Sequence, residues 1–358
     1  MQIYDQFVGT KPVEERHRFD TARLEAYLRP RIDGFRGPLE VEQFRGGQSN
    51  PTYRITAAGR RYALRRKPPG KLLPSAHAVE REFRVIGALH AVGFPVARPY
   101  VLCEDESVIG TAFYVSDCVE GRVLWDQALP GMSKAERFAI WDELNRVIAR
   151  LHTIDYRTVG LEDFGKPGRY IERQVARWSQ QYRASETVKI GAMDKLIEWL
   201  PQHIPPGDET AIVHGDYRLD NVIFHPSEPR ILAVLDWELS TLGHPLADFA
   251  YHCMSWRIPP GKFRGIEGLP LDELGIPQER DYVEAYCRRT GRAAIDRSTW
   301  DYYMVYNLFR IAAISQGIAK RALDGTAASA HALESGSKAP LLAELAWQQV
   351  ERILKKTA

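Results

Sequence analysis

The spacing of apolar residues changes once along this chain, close to Gly121. Before that point, short runs of β-branched and aromatic residues are broken by Gly and Pro. They predict strands over 39–44, 52–56 and 61–66, joined by a Gly-Gly turn and an Ala58-Gly59 turn, with two more near 96–102 and 111–119. One helix interrupts them over 75–89, where Val79, Phe83, Ile86 and Leu89 recur at helical spacing behind Ser75 as a cap. A shorter helix over 20–28 ends before Pro30. After Gly121 the pattern is helical: 133–152 is strongly amphipathic, and 171–183 and 193–200 follow. Most of the chain beyond 237 continues that way. Antiparallel strands first and helices second predict an α+β fold in two lobes, 1–119 and 120–358, hinged near Val119–Gly121.

Composition narrows the function classes. The 358 residues include 48 basic and 46 acidic side chains, a net charge of +2. That balance supports neither a nucleic-acid-binding nor a membrane-surface role. No run of about 18 apolar residues occurs, so no membrane span is expected. Cys103, Cys118, Cys253 and Cys287 show no C-x-x-C spacing and read as reduced core thiols. With the charged N-terminal stretch, they predict a cytoplasmic protein.

One segment is too polar for its place. IVHGDYRLDNVIF, 212–224, sets His214, Asp216, Arg218, Asp220 and Asn221 between two apolar runs that read as buried strand. A turn needs one or two such residues. The next stretch, NVIFHPSEPRILAVLDWE, reads as a hairpin turning at 226–229 and returning through 231–235 to Asp236. A hairpin of that length is expected to bring Asp236 back beside Asn221 and Asp216. Carboxylate and amide oxygens gathered at one hairpin end suit a hard cation such as Mg2+.

The spacing H-G-D-x-x-x-x-N followed by this Asp resembles the protein-kinase-like fold, most closely its aminoglycoside phosphotransferase branch. The resemblance covers roughly residues 40–255. It implies that Asp216 accepts or orients the proton of an acceptor hydroxyl. Asn221 and Asp236 would hold Mg2+ on the phosphates of ATP. His214 and Asp248 would support the loop. Gly46, Gly47, Gln48, Ser49 and Asn50 fall where a loop covers the phosphates, although no G-x-G-x-x-G is present. Arg65 takes the place of the usual lysine, keeping its charge in a forked form, and Glu82 is its helix partner. Main-chain groups near Asp117 and Val119 would meet adenine. Tyr303 and Arg310 lie on a helical face that reads chiefly as core, and are carried as substrate contacts.

The acceptor is constrained more loosely. After Asp236 the chain runs through LSTLGH straight into PLADFAY, leaving no room for the activation segment of a protein kinase. A small-molecule acceptor is expected instead. Between Pro245 and Asp324 basic residues slightly outnumber acidic ones, which disfavours a polycationic antibiotic. LRRKPPGKLLPSAHAVEREFRVIGAL, ELGIPQERDYVEAYCRRTGR and NLFRIAAISQGIAKRALDGTAAS are similar to the kinase-like domain fused to some acyl-CoA dehydrogenases and to its free-standing bacterial relatives. That resemblance implies a hydroxyacyl-CoA acceptor, a functional link to an acyl-CoA dehydrogenase, and Lys67, Lys71 or Arg257 as partners for CoA phosphates. An antibiotic kinase and a non-catalytic nucleotide-binding pseudokinase are the alternatives.

Overall fold

The computed structural model describes residues 9–45, 50–70, 77–261, 263–325 and 332–357. In chain order the first elements are β1 (Thr10–Lys11), α1 (Thr21–Leu28), β2 (Leu39–Phe44), β3 (Thr52–Ala57), β4 (Arg60–Arg66), α2 (Val79–Ala91), β5 (Pro99–Cys103) and β6 (Phe113–Asp117). Then come α3 (Lys134–Thr153), α4 (Tyr170–Ala184), α5 (Gly191–Trp199), β7 (Ala211–Val213), β8 (Val222–Phe224), β9 (Ile231–Val234) and β10 (Thr241–Gly243). The remainder is helical: α6 (Pro245–Cys253), α7 (Leu271–Leu274), α8 (Glu279–Thr290), α9 (Arg297–Leu323), α10 (Ala332–Gly336) and α11 (Ala339–Thr357). No helix among the described residues is long and apolar enough to cross a membrane.

The chain divides into two compact units. The first is Met1–Trp125 with Val159–Leu161 and Asp220–Ser240; the second is Asp126–Thr158, Glu162–Leu219 and Thr241–Ala358. Hairpin β8–β9, far along the sequence, therefore belongs with the first unit. Reciprocal N–H to carbonyl bonds between Arg122 and Phe224, both 2.8 Å, tie it there, as does the Val234 N–H on the carbonyl of Pro95. Gly121 permits this approach, because a Cβ there would lie 2.2 Å from the Phe224 carbonyl oxygen.

The first unit is built on an antiparallel six-stranded sheet, ordered β1-β2-β3-β4-β6-β5. The two-residue period of a strand decides what each face holds. Tyr53, Ile55, Tyr62 and Leu64 point into a core with Phe113 and Val115, closed by Leu24 and Leu28 of α1. Asp20 caps α1 by accepting the N–H groups of Ala22 and Arg23. Arg65, one residue out of phase with Leu64, emerges on the opposite face. Sequence analysis missed β1 because it is only two residues long.

The second unit is helical apart from the short ladder of β7 with β10. Its α3 begins at a capping box, Ser133 and Glu136 satisfying each other's main-chain N–H. The longest element is α9, with 27 residues buried through most of its length. Trp300, Tyr302, Tyr303, Tyr306 and Asn307 are all core. Between Asp236 and α6 lie only a single 3-10 turn, Trp237–Leu239, and β10, too short a stretch for a protein-kinase activation segment.

Candidate active site

In the first unit, strand pairing sets Arg65 opposite Tyr114 on the face away from the main core. Arg65 Nε lies 2.8 Å from Glu82 Oε2, the α2 carboxylate expected from the sequence. Its Nη2 meets Asp236 Oδ1 at 2.8 Å and Glu238 Oε2 at 3.3 Å. One guanidinium thus joins three carboxylates, which a lysine ammonium could not do with the same forked geometry. Burial alone would make Arg65 easier to deprotonate, but Glu82 and Asp236 more than offset it and hold the charge firmly. Burial also pushes the Glu82 carboxyl above its ordinary range, against the pull of Arg65. Asn50 donates to Glu82 Oε1 at 2.9 Å and the Tyr114 hydroxyl to Oε2 at 3.3 Å, so the carboxylate is held from both sides.

Asn221 and Asp236 close hairpin β8–β9. Val222 faces Val234 across the ladder, and one step beyond, the Leu235 N–H donates to the Asn221 carbonyl at 2.8 Å. The hairpin ladder therefore delivers both residues to one end, as the turn spacing predicted. Asp236 adopts a left-handed backbone, φ 64°, which breaks the strand and redirects its carboxylate. An amide and a carboxylate at one hairpin end are hard oxygen donors of the kind Mg2+ takes, and two protein ligands suffice for an ion that shares phosphates. The residues present fit the ion.

In the second unit the loop after β7 is held from beneath. Asp248 Oδ2 accepts the His214 N–H and Oδ1 the Gly215 N–H, both at 2.7 Å. His152 Nε2 lies 3.2 Å from Asp248, and the other ring nitrogen 2.7 Å from the Tyr286 hydroxyl. Burial would raise the Asp248 carboxyl, but His152 and the main-chain donors bring it below its usual range. His214 accepts the Asp216 N–H on Nδ1 at 3.1 Å, closing the turn. Asp216 itself is gripped at both oxygens: the Tyr251 hydroxyl donates to Oδ1, and Arg218 Nε is 3.2 Å from Oδ2. Beside them lies a narrow pocket lined by Gln127, Arg218, Tyr251, Ser255, Phe263 and Arg264, among others.

Some expected contacts fall elsewhere. Arg310 Nη2 donates to the Gly215 carbonyl, and its guanidinium lies over the Tyr251 and Trp178 rings. Tyr303 stacks on His244 and bonds its Nε2 at 3.1 Å. The Asp117 N–H is already taken by the Arg98 carbonyl, and its carboxylate accepts from the Tyr100 hydroxyl. Arg257 is buried, with its three nitrogens turned to Glu279, Gln349 and Asp301, which places it in the core and not on a surface open to a CoA phosphate. Lys67 pairs with Glu80. Val119 lies in the irregular stretch after β6. Gly46, Gly47, Gln48, Ser49, Ser75 and Lys71 lie outside the described residues. Tyr114, Glu238, His152 and Tyr251 were not singled out from the sequence, and Asn50 and Arg218 were read only as members of their polar loops, with no partner assigned. Only Arg218 and Glu238 carry a signal there, each two residues past an Asp of the motif.

The model of the phosphotransferase enzyme family matches residues 40–298. The mouse protein acyl-CoA dehydrogenase family member 10 is 48% identical over 342 residues, covering 95% of this chain and 32% of that protein. The chain thus spans about a third of that relative's length. A crystal structure of a candidate aminoglycoside phosphotransferase from Ralstonia eutropha is 58% identical, with TM-score 0.86, covering 94% of this chain and 99% of that one. A thermostable mutant of aminoglycoside phosphotransferase APH(4)-Ia, solved with AMP-PNP and hygromycin B, shares the fold at 17% identity and TM-score 0.58, covering 91% and 98%. The six-stranded antiparallel sheet and the helical second unit are those of this kinase-like architecture. The chain belongs to the phosphotransferase enzyme family, and is an enzyme of the class that moves a phosphoryl group onto the hydroxyl of a small molecule.

Proposed function

We propose that this enzyme phosphorylates the hydroxyl of a hydroxyacyl-CoA with Mg·ATP. The observation that carries the choice of acceptor is the pocket next to Asp216. Arg218 and Arg264 line it, and no carboxylate does among the described residues. Such a wall disfavours a polycation, which would need carboxylates, and suits an acceptor that is neutral or anionic near its reacting end. The acyl-CoA dehydrogenase named in the relative supplies the chemical class: a phosphorylated hydroxyl is a leaving group, which prepares an acyl chain for elimination.

Asp216 accepts a hydrogen bond from the acceptor hydroxyl, aligns its oxygen, and takes its proton as that oxygen bonds to the γ-phosphorus and the bond from phosphorus to the bridging oxygen breaks, its electron pair leaving with ADP. Asn221 and Asp236 would hold Mg2+, which when bound neutralises charge on the phosphates. Arg65 and Glu82 fix Asp236 in place, and Arg65 offers a cation to the nucleotide. Asp248, with His152 behind it, keeps the His214 and Gly215 main chain from shifting, so that Asp216 stays aimed. Phosphoryl transfer asks little more of a protein than this positioning and charge balance.

The test is ADP release from Mg·ATP with hydroxyacyl-CoAs of several chain lengths, the free hydroxy acids, choline and an aminoglycoside, each with wild type and Asp216→Ala. Turnover of a hydroxyacyl-CoA that the variant loses is the expected result. Turnover confined to choline or the aminoglycoside would overturn the choice of acceptor and leave the phosphotransferase chemistry standing.

A further inference from the structure

Tyr251 and Asp248 are three residues apart on α6, on one face of the helix. Asp248 grips the main chain of the His214-Gly215-Asp216 turn, and Tyr251 reaches the Asp216 side chain itself. Its phenol hydroxyl donates to Oδ1, the same kind of O–H donor that an alcohol acceptor must bring to a carboxylate. Oδ2 is occupied by Arg218. Tyr251 is only 6% exposed, and the Arg310 guanidinium sits 5.0 Å from its ring centre. The adjoining pocket leaves room for a water molecule beside this pair.

We infer that Tyr251 stands in for the acceptor hydroxyl on Asp216 and selects the acceptor over water. This rests on the phosphotransferase reading of Asp216. A catalytic carboxylate left open beside bound ATP would orient water as readily as an alcohol. Water oxygen would then bond to the γ-phosphorus while the bond from phosphorus to the bridging oxygen breaks. Its electron pair would leave with ADP, and the water proton would pass to Asp216. With the phenol in place, a single water gains no free acceptor on Oδ1. An alcohol anchored along its whole length competes for that oxygen far better, and Tyr251 gives way to it.

The experiment compares wild type, Tyr251→Phe, and Tyr251→Phe combined with Asp216→Asn, all as the full chain. It follows acceptor-free ADP release, then acceptor KM and kcat, with thermal unfolding to check the fold. Phenylalanine keeps the ring under Arg310. One hydrogen bond to a charged group corresponds to roughly a tenfold effect. Acceptor-free ADP release is expected to rise by about that factor and the acceptor KM to fall; adding Asp216→Asn abolishes the extra hydrolysis. Unchanged hydrolysis and unchanged KM, in an enzyme whose turnover still requires Asp216, would overturn the assignment of Tyr251 alone. Turnover indifferent to Asp216→Asn would instead remove the phosphotransferase reading, and this inference with it. If Tyr251→Phe unfolds, Tyr251→Leu, which also brings no hydrogen-bond donor, must give the same rise.

Discussion

Arg310 Nη2 donates to the main-chain carbonyl of Gly215 at 2.7 Å. Gly215 has φ +82°, a conformation that costs other residues, and the bond from α9 is one reason the turn keeps it. Arg310→Met removes a charge-assisted bond of about 1.5–3 kcal/mol, so kcat is expected to fall by roughly 10- to 100-fold. The ATP KM should stay near wild type. Steady-state kinetics separates the two, and a large rise in the ATP KM with normal kcat would sink the assignment.

Asp248 gives a second prediction. Its carboxylate, almost fully buried, accepts two main-chain N–H groups at once. Asp248→Asn keeps the shape but turns one acceptor into a donor facing an N–H. A loss of about 3 kcal/mol is expected by chemical denaturation. The acid limb should change too. A carboxyl held below its usual range stabilises the fold above about pH 4, and that contribution drains away as pH falls through the lowered value. The asparagine variant should therefore show a shallower stability loss below pH 4 than wild type.

The histidines act at higher pH. Burial depresses both His244 and His252 to about 4, from 6.5. The unfolded chain binds a proton at each between those values and the folded chain does not. Stability is thus complete above pH 6.5 and falls as pH drops from 6.5 towards 4, by about 1.4 kcal/mol per pH unit for each histidine. His252→Gln should remove close to one proton's worth of that slope. Urea melts at several pH values measure it directly, and an unchanged slope would contradict the buried neutral state.

Arg65 serves three carboxylates, so neutralising it leaves all of them unbalanced. Arg65→Met should cost about 3 kcal/mol or more, chiefly through the buried Glu82. Arg65→Lys restores the charge without the fork and should recover only part of the loss. Calorimetric Mg·ATP titration of both variants then shows whether nucleotide affinity follows the same order. Equal stability of the methionine and wild-type proteins would refute the account.

Local pattern made most of this fold legible. The strand pattern marked β2, β3 and β4 within a residue, because period-two alternation there is regular and bounded by glycine turns. The polar stretch between β7 and β8 drew attention because a buried loop needs a reason for each charge. Arg65 with Glu82, and Asn221 with Asp236, were visible as order along the chain. Tyr251 and His152 were not. Each lies on a helix whose apolar spacing already explains an aromatic ring, and only tertiary packing shows what its polar atom touches. The sheet order was hidden too: β6 slots between β4 and β5, a choice that strand propensity does not record. Arg257 misled because a lone arginine looks like a surface charge, and its partners, Glu279 and Asp301, arrive from two other helices.

The attachment of hairpin β8–β9 to the first unit sets a timetable for biosynthesis. That unit needs residues up to Ser240, although its sheet is complete in sequence by Asp117. At a translation rate of roughly 5–20 residues per second, the ribosome takes on the order of ten seconds to add the intervening segment. Through that interval the nascent sheet presents the main-chain groups of Pro95 and Arg122 with no hairpin to receive them. Chaperone engagement of stalled chains ending between 130 and 240 should reveal that window.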